Sequence, residues 1–258
     1  MLRGLYTAWT GMANEQKRLD VISNNMANSN TVGYKDEKVA SQAFDQVLGI
    51  KIRDGSQAYH NECIGSLSLG VKIGETYTDY SQGSVRQTGG TYDLALSGSG
   101  FFTVSVADKA GEVHTRYTRD GRFHLTKDGL LVDADGNAVQ GQNGNITIDP
   151  SSKNVSISAT GQIMADGELV DTLNIVDFED YDYLKKYGDT MYEPVDGATT
   201  KDAEGEILQG YTEQSNVNVV REMVDMITIT RAYEASQKVI HSYDSMLDKS
   251  VNQVGALK

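Results

Sequence analysis

The chain has 258 residues, with 36 acidic against 23 basic side chains and a net charge of −13, a balance that argues against non-specific binding to nucleic acid or to an anionic membrane. Its one cysteine, Cys63, excludes an internal disulfide, and with no His or Asn motif beside it reads as an incidental thiol. No apolar run approaches the roughly 18 residues of a membrane helix. The opening stretch is too polar for a signal-peptide core, so the chain is expected to be cytoplasmic or exported without a cleaved signal.

Residues 3–27 read as a helix about 38 Å long. Leu5, Trp9, Met12, Gln16, Leu19, Ser23 and Met26 follow heptad spacing and are mostly apolar. Gly11 costs this helix about 1 kcal/mol relative to Ala but lets another backbone come close. The stretch Ser23–Lys35 is rich in Asn, with Asn24, Asn25, Asn28 and Asn30 ahead of Gly33. Asn amides bond nearby main chain and Gly permits positive φ, so the helix is expected to end in a defined, hydrogen-bonded turn.

Residues 36–75 are polar and mixed, with Leu67–Ile73 as a possible strand. Residues 76–178 read as β structure. Apolar residues alternate at Phe123/Leu125, Ile146/Ile148, Val155/Ile157 and Leu173/Ile175. Asp120-Gly121, Asp128-Gly129, Asp135-Gly136 and Asn143-Gly144 recur at spacings that suit successive hairpins, and Asp166-Gly167 adds another turn. Gly98-Ser99-Gly100 reads as a turn beside a buried Phe101-Phe102 pair. Asp133–Asn137 is similar to a calcium loop, but its Gly falls too early and no Glu closes it, so a hairpin turn is expected. The histidines, at 60, 114, 124 and 241, lack paired ligand spacing, so no metal and no cofactor are expected. No acidic pair or nucleophile motif stands out for catalysis. Residues 179–212 look loop-like and acidic and return the chain to its last helix.

That helix is expected from about Val217 to Val254, roughly 57 Å long. Met223, Met226, Thr230, Tyr233, Gln237, Ile240, Asp244, Leu247, Val251 and Val254 form a second heptad seam, uninterrupted until Gly255. Ser215, Asn216 or Asn218 is placed to cap its start. Its first turns, with Val217, Val219, Val220, Met223, Val224, Met226, Ile227 and Ile229, are apolar on most sides, which calls for several neighbours rather than one. The two termini thus carry matching seams. The expected fold is α+β: long N- and C-terminal helices pairing as a coiled-coil-like core, with a β-rich domain inserted between them.

LYTAWTGM followed by SNNMANSNTVGYK (Ser23–Lys35), with Ser23 where the pattern usually has Ala, resembles the N-terminal signature of bacterial flagellar rod and hook axial proteins. EQSNVNVVREMVDMITITRAYEASQKVI (Glu213–Ile240) resembles the C-terminal signature of that family. Thr91–Val104, Tyr117–Gly141, Leu173–Asp180, Leu184–Pro194 and Leu208–Val217 are similar to its β-domain and return segments. The resemblance implies a structural subunit of the flagellar basal-body rod, not an enzyme, leaning to the distal rather than the proximal type. It implies helical self-assembly into a hollow shaft and export through the flagellum's own channel. Expected partners are other copies, adjacent rod and hook subunits, the export apparatus and the rings around the rod; nucleic acid and membrane insertion are not expected.

The expected divisions are 1–35 (helix and turn of the axial core), 36–75 (connection), 76–178 (outer β domain), 179–212 (return) and 213–258 (C-terminal helix). Assembly is assigned to Leu5, Trp9, Met12, Leu19, Met26, Val220, Met223, Met226, Ile227, Tyr233, Ile240 and Leu247. The turn motif is Asn24, Asn25, Asn28, Thr31, Gly33 and Tyr34, of which Asn25, Asn28 and Gly33 are expected to set how the helix hands the chain on. A competing reading is a β-rich enzyme or carbohydrate-binding module on a coiled-coil stalk. It requires a pocket with convergent polar groups.

Overall fold

The computed structural model describes residues 2–51, 62–107, 111–152 and 154–254. His60, Gly255 and the middle of the 36–75 stretch lie outside the described residues. The chain forms two compact units. One contains Met1–Met26, Glu37–Thr78 and Val219–Lys258; the other contains Ala27–Asp36 and Asp79–Asn218.

The first unit holds helix α1 (Leu2–Ala27), strands β1 (Asp36–Ala43), β2 (Val47–Lys51), β3 (Glu62–Leu67) and β4 (Val71–Asp79), and helix α2 (Val219–Lys249), which ends in a π-helical turn at Ser250–Val254. β1 pairs with β4, and β2 pairs antiparallel with β3. The suggested strand over 67–73 is in fact two strands, broken by Ser68–Gly70, where Gly70 has φ 142°.

The terminal helices touch in opposite directions. A Cβ on Gly4 would meet the Tyr243 ring, 2.6 Å from Cζ, and one on Gly11 would lie 3.8 Å from Ser236 Oγ. Asn25 Nδ2 donates to Glu222 Oε2 at 3.5 Å. The pairing is as expected but its register is not. On α1 the seam falls one residue earlier than the apolar spacing indicates, on the line of Gly4, Gly11 and Asn25. On α2 the inward line runs through Glu222, Met226, Ile229, Tyr233, Ser236, Ile240 and Tyr243, all buried or half-buried, while Met223, Gln237 and Asp244 are exposed. The cause is chemical: small residues let helices approach, and a seam made partly of Gly, Ser and Glu is invisible to a search for apolar residues.

The strands of the second unit are β5 (Val85–Gln87), β6 (Leu94–Ser97), β7 (Phe101–Ala107), β8 (Val113–Thr118), β9 (His124–Leu125), β10 (Leu131–Val132), β11 (Ala138–Gly141), β12 (Gly144–Asn145), β13 (Val155–Ile157), β14 (Gln162–Ala165), β15 (Glu168–Thr172), β16 (Ile175–Phe178), β17 (Leu184–Tyr187), β18 (Met191–Pro194), β19 (Thr200–Asp202), β20 (Glu206–Gln209) and β21 (Tyr211–Glu213). A ten-stranded antiparallel sheet runs β17-β18-β8-β7-β11-β10-β9, with β16 also on β7, β19 on β16 and β12 on β11. β13-β14-β15 form a second sheet, and β20 and β21 pair with β6 and β5. One core gathers Leu96, Phe102, Val104, Ile146, Ile163 and Ile207; a second is aromatic, around Phe101, Phe178 and Tyr192. All four alternating pairs read from the sequence contribute to the first core.

Three of the four regularly spaced turn dipeptides close hairpins, at Gly129, Gly136 and Gly144, each with positive φ, and the Asp133–Asn137 segment is the β10–β11 turn. Asp166 (φ 48°) and Gly167 (φ 93°) turn β14 into β15 as a type I′ pair. Asp120-Gly121 does not close a hairpin. Gly121 is required there for space: a Cβ would strike the carbonyl of Leu94. The stretch 179–212 is not a loop but carries β17 to β20 and the start of β21. These strands are only three or four residues long, too short for alternation to register, yet they bury Leu184, Met191, Tyr192 and Ile207.

Candidate functional site

The Asn-rich turn is built into the second unit. Past α1, Thr31 N donates to Asn28 O (3.1 Å) and Thr31 Oγ1 to Asn28 Oδ1 (3.0 Å), which closes one tight turn. Gly33 follows with φ 71°, and its N–H donates to Glu213 O at 2.9 Å. A Cβ at Gly33 would press on the Arg119–Asp120 backbone, 2.6 Å from Arg119 C, so this position needs glycine for both conformation and space. Val32, Tyr34 and Lys35 then run through the interior.

Lys35 is the anchor of a buried charge cluster. Its Nζ donates to Glu213 Oε1 at 2.6 Å and to Ser81 O at 2.8 Å. The Glu213 carboxylate also accepts from Gly83 N (2.9 Å) and from Arg119 Nη1 (3.3 Å). Lys35 is 1% and Glu213 0% exposed. Burial pushes the Lys35 pKa down, and the adjacent carboxylate opposes that shift. Beside the cluster, Asn216 Oδ1 accepts from Asp36 N (2.8 Å) and its Nδ2 donates to Asp79 O (2.7 Å). Segments 31–36, 79–83 and 213–216, far apart in the chain, are thereby tied at one point. A cluster closed to solvent in this way has no face for a substrate; its chemistry is that of a lock, in which each charge is stable only while its partners are present.

Within the first unit, Asn25 clamps β1: its Nδ2 donates to Glu37 O (2.8 Å) and its Oδ1 accepts from Glu37 N (3.2 Å). Asn14 and Ser41 exchange a similar pair of bonds at 3.0 and 3.1 Å. Of the turn-motif residues, Asn25, Gly33 and Tyr34 are buried, Asn28 and Thr31 half-buried and Asn24 exposed. The residues assigned to assembly divide. Leu5, Met12, Leu19, Met26, Met226, Tyr233 and Ile240 are half-buried. Trp9, Val220, Met223, Ile227 and Leu247 are exposed, Val220 by 73% and Ile227 by 54%. Val220, Met223, Val224 and Ile227 lie on the side of α2 opposite Glu222 and Ile229, so the first turns of α2 carry an outward apolar stripe.

The charge cluster was missed from the sequence. Lys35 stood inside the quoted motif and Glu213 at the head of the other signature, but nothing in their positions announces that they meet. Gly83 and Arg119 gave no signal, and Asn216, read as a candidate helix cap, instead bonds Asp36 N and Asp79 O.

Three family descriptions match the chain: "Flagella basal body rod protein" over residues 5–35, "Flagellar hook protein FlgE/F/G D1 domain" over 95–165, and "Flagellar basal body rod FlgEFG protein C-terminal" over 208–254. Lys35, Arg119 and Glu213 fall one in each. The flagellar basal-body rod protein FlgG of Bacillus subtilis is 35% identical, covering 98% of this chain and 99% of its own. FlgG of Caulobacter vibrioides is 36% identical over 95% and 97%, and the rod protein FlgF of the same bacterium 32% over the full length of both. The stalked-enzyme reading gives way to these matches. The chain belongs to the flagellar basal-body rod protein family and is a non-enzymatic, structural subunit of that rod.

Proposed function

We propose that the chain is the distal-type rod subunit, assembling helically with copies of itself into the hollow shaft that joins motor to hook. The observation that carries the assembly reading is the outward stripe Val220, Met223, Val224 and Ile227, because an apolar patch of this kind on a soluble surface marks an interaction site. The half-buried members of the seam hold the two terminal helices together, and the exposed members, with Trp9 and Leu247, meet neighbouring subunits. The near full-length likeness to FlgG proteins supports the distal type. Adjacent rod and hook subunits and the surrounding rings are the further partners, and export runs through the flagellar channel without a cleaved signal.

Gold-labelled antibody against this subunit on purified basal bodies tests the position. Label confined to the hook-side half of the rod is expected; label confined to the motor-side half overturns the distal assignment.

A further inference from the structure

We infer that residues 206–216 are a latch: the second unit closes only when this late segment, bearing Glu213, is laid across it. The latch rests on the second unit alone; only its use in transit rests on the proposed export.

The latch is β20 and β21 with the turn at Gly210 between them. β20 pairs with β6, Ile207 opposite Leu96, and β21 pairs with β5, Thr212 opposite Arg86. Among the described residues β5 and β6 have no other strand partner. At the turn, Gly210 N donates to Asp93 O at 2.7 Å and Gly210 O accepts from Thr88 N at 2.8 Å. The Gln209 amide reaches two further segments: its Nε2 donates to Thr91 O (2.9 Å) and its Oε1 accepts from Ile157 N (3.0 Å). Ile207, 3% exposed, belongs to the main core, and its N–H donates to Ala159 O at 3.0 Å.

The far end of the latch holds the first residues of the unit. Glu213 accepts from Gly33 N through its carbonyl and from Lys35 Nζ through its carboxylate, across 178 residues of sequence in the second case. Gln214 N donates to Ser84 O at 2.8 Å.

All ten strands of the large sheet precede residue 206, so the sheet could in principle be finished before the latch arrives. The charges oppose that order. Lys35 and Arg119 bond one and the same carboxylate, so without it a closed unit would hold two like charges facing each other with no counter-charge between them. Arg119 also lies over the Phe101 ring, 5.2 Å from its centroid, which carries the disturbance into the aromatic core. Opening the unit to hydrate the two cations uncovers Leu94 and Leu96, which β20 helps to bury. An ordinary edge strand adds to a finished sheet. This segment brings a core side chain and the missing negative charge.

A tie between residues 35 and 213 matters to a chain in transit. Whichever end enters a channel first, the two sides of the latch meet only after the residues between them have emerged. The subunit therefore stays open and threadable during passage and closes on release.

Hydrogen exchange on the purified, unmodified chain reads the latch directly. Latch and sheet that open together give the Ile207 and Gln214 amides protection factors within about threefold of those in β7 and β8. Latch amides at least tenfold less protected than β7 and β8 overturn the inference, because the latch then opens while the sheet stays shut. Glu213→Gln is expected to lower protection throughout β7 and β8 at least tenfold; a loss confined to β20 and β21 overturns it. Rescue separates the latch from general misfolding. In the chain carrying Ile207→Asp with Glu213→Gln, a synthetic peptide of residues 204–218 is expected to restore at least half of the protection lost from β7 and β8. The same peptide with Glu213→Gln is expected to restore none. No rescue by the native peptide, or equal rescue by both, overturns the latch. Because every reading is made on purified chain, failure of cells to secrete the subunit would overturn the export reading and leave these results standing.

Discussion

The two units solve the problem of burial in opposite ways. The second closes on itself: Phe101, Phe102, Leu131, Ile146, Ile163 and Tyr192 are buried to within 1% of complete, and its charges at Lys35, Arg119 and Glu213 are buried only in one another's company. The first leaves Tyr6, Trp9, Val220, Met223, Val224 and Ile227 at least half exposed. A domain that hid its apolar side chains as poorly as this would gain little from folding alone. The contrast separates stability from assembly. Changes in the second unit should unfold the subunit, and changes on the outer surface of the first should spare the subunit and destroy the polymer.

The largest expected effect is at the charge cluster. Glu213→Gln leaves Lys35 and Arg119 buried without their carboxylate and should destabilise the second unit by about 3–5 kcal/mol in urea denaturation. A loss under 1 kcal/mol would show that the cluster is not the lock described. Gly33→Val comes next. It combines a strained positive φ with a collision against the Arg119–Asp120 backbone, together roughly 2–5 kcal/mol. A variant with an unchanged denaturation midpoint would mean that the turn has adopted another path.

The acid side of the same unit gives a smaller, pH-dependent effect. Burial pushes the Asp133 carboxyl from 3.8 up to about 6. An acid raised in the folded state holds its proton more tightly folded than unfolded, so stability falls as pH rises between those two values and is lowest above about 6. Asp133→Asn should therefore raise the melting temperature at pH 7, by the equivalent of about 1–2 kcal/mol, and do little at pH 4. Some slope should remain, because burial also raises Asp120. An equal gain at both pH values would assign the effect to packing instead.

Much of this contrast was legible in the chain, and the rest was hidden for identifiable reasons. Apolar alternation found the β core because pairs such as Val155/Ile157 face one side of a strand. Heptad spacing found both helices and their pairing. It placed Met226, Tyr233 and Ile240 on the inward line but added the exposed Met223, Gln237 and Asp244, because a rule that follows large apolar residues passes over the inward Gly4, Gly11, Ser236 and Glu222. The strands of 179–212 escaped because three residues show no period. The charge cluster escaped because Lys35 and Glu213 are brought together by topology, which no local pattern encodes.

The smallest expected effect on the subunit is also the most direct test. Met226, half-buried, and Ile227, exposed, are adjacent on α2 and lie about 100° apart around the helix. Ile227→Asp should change the thermal stability of the purified subunit by less than about 0.5 kcal/mol, since the side chain is more than half exposed, whereas Met226→Asp should loosen the helix pair. The decisive measurement is the rod content of basal bodies from cells carrying Ile227→Asp, taken with the folded, secreted amount of the same variant. A subunit that is secreted and stable yet absent from rods is the expected result. Normal rods built from Ile227→Asp would contradict the separation of stability from assembly on which this account rests.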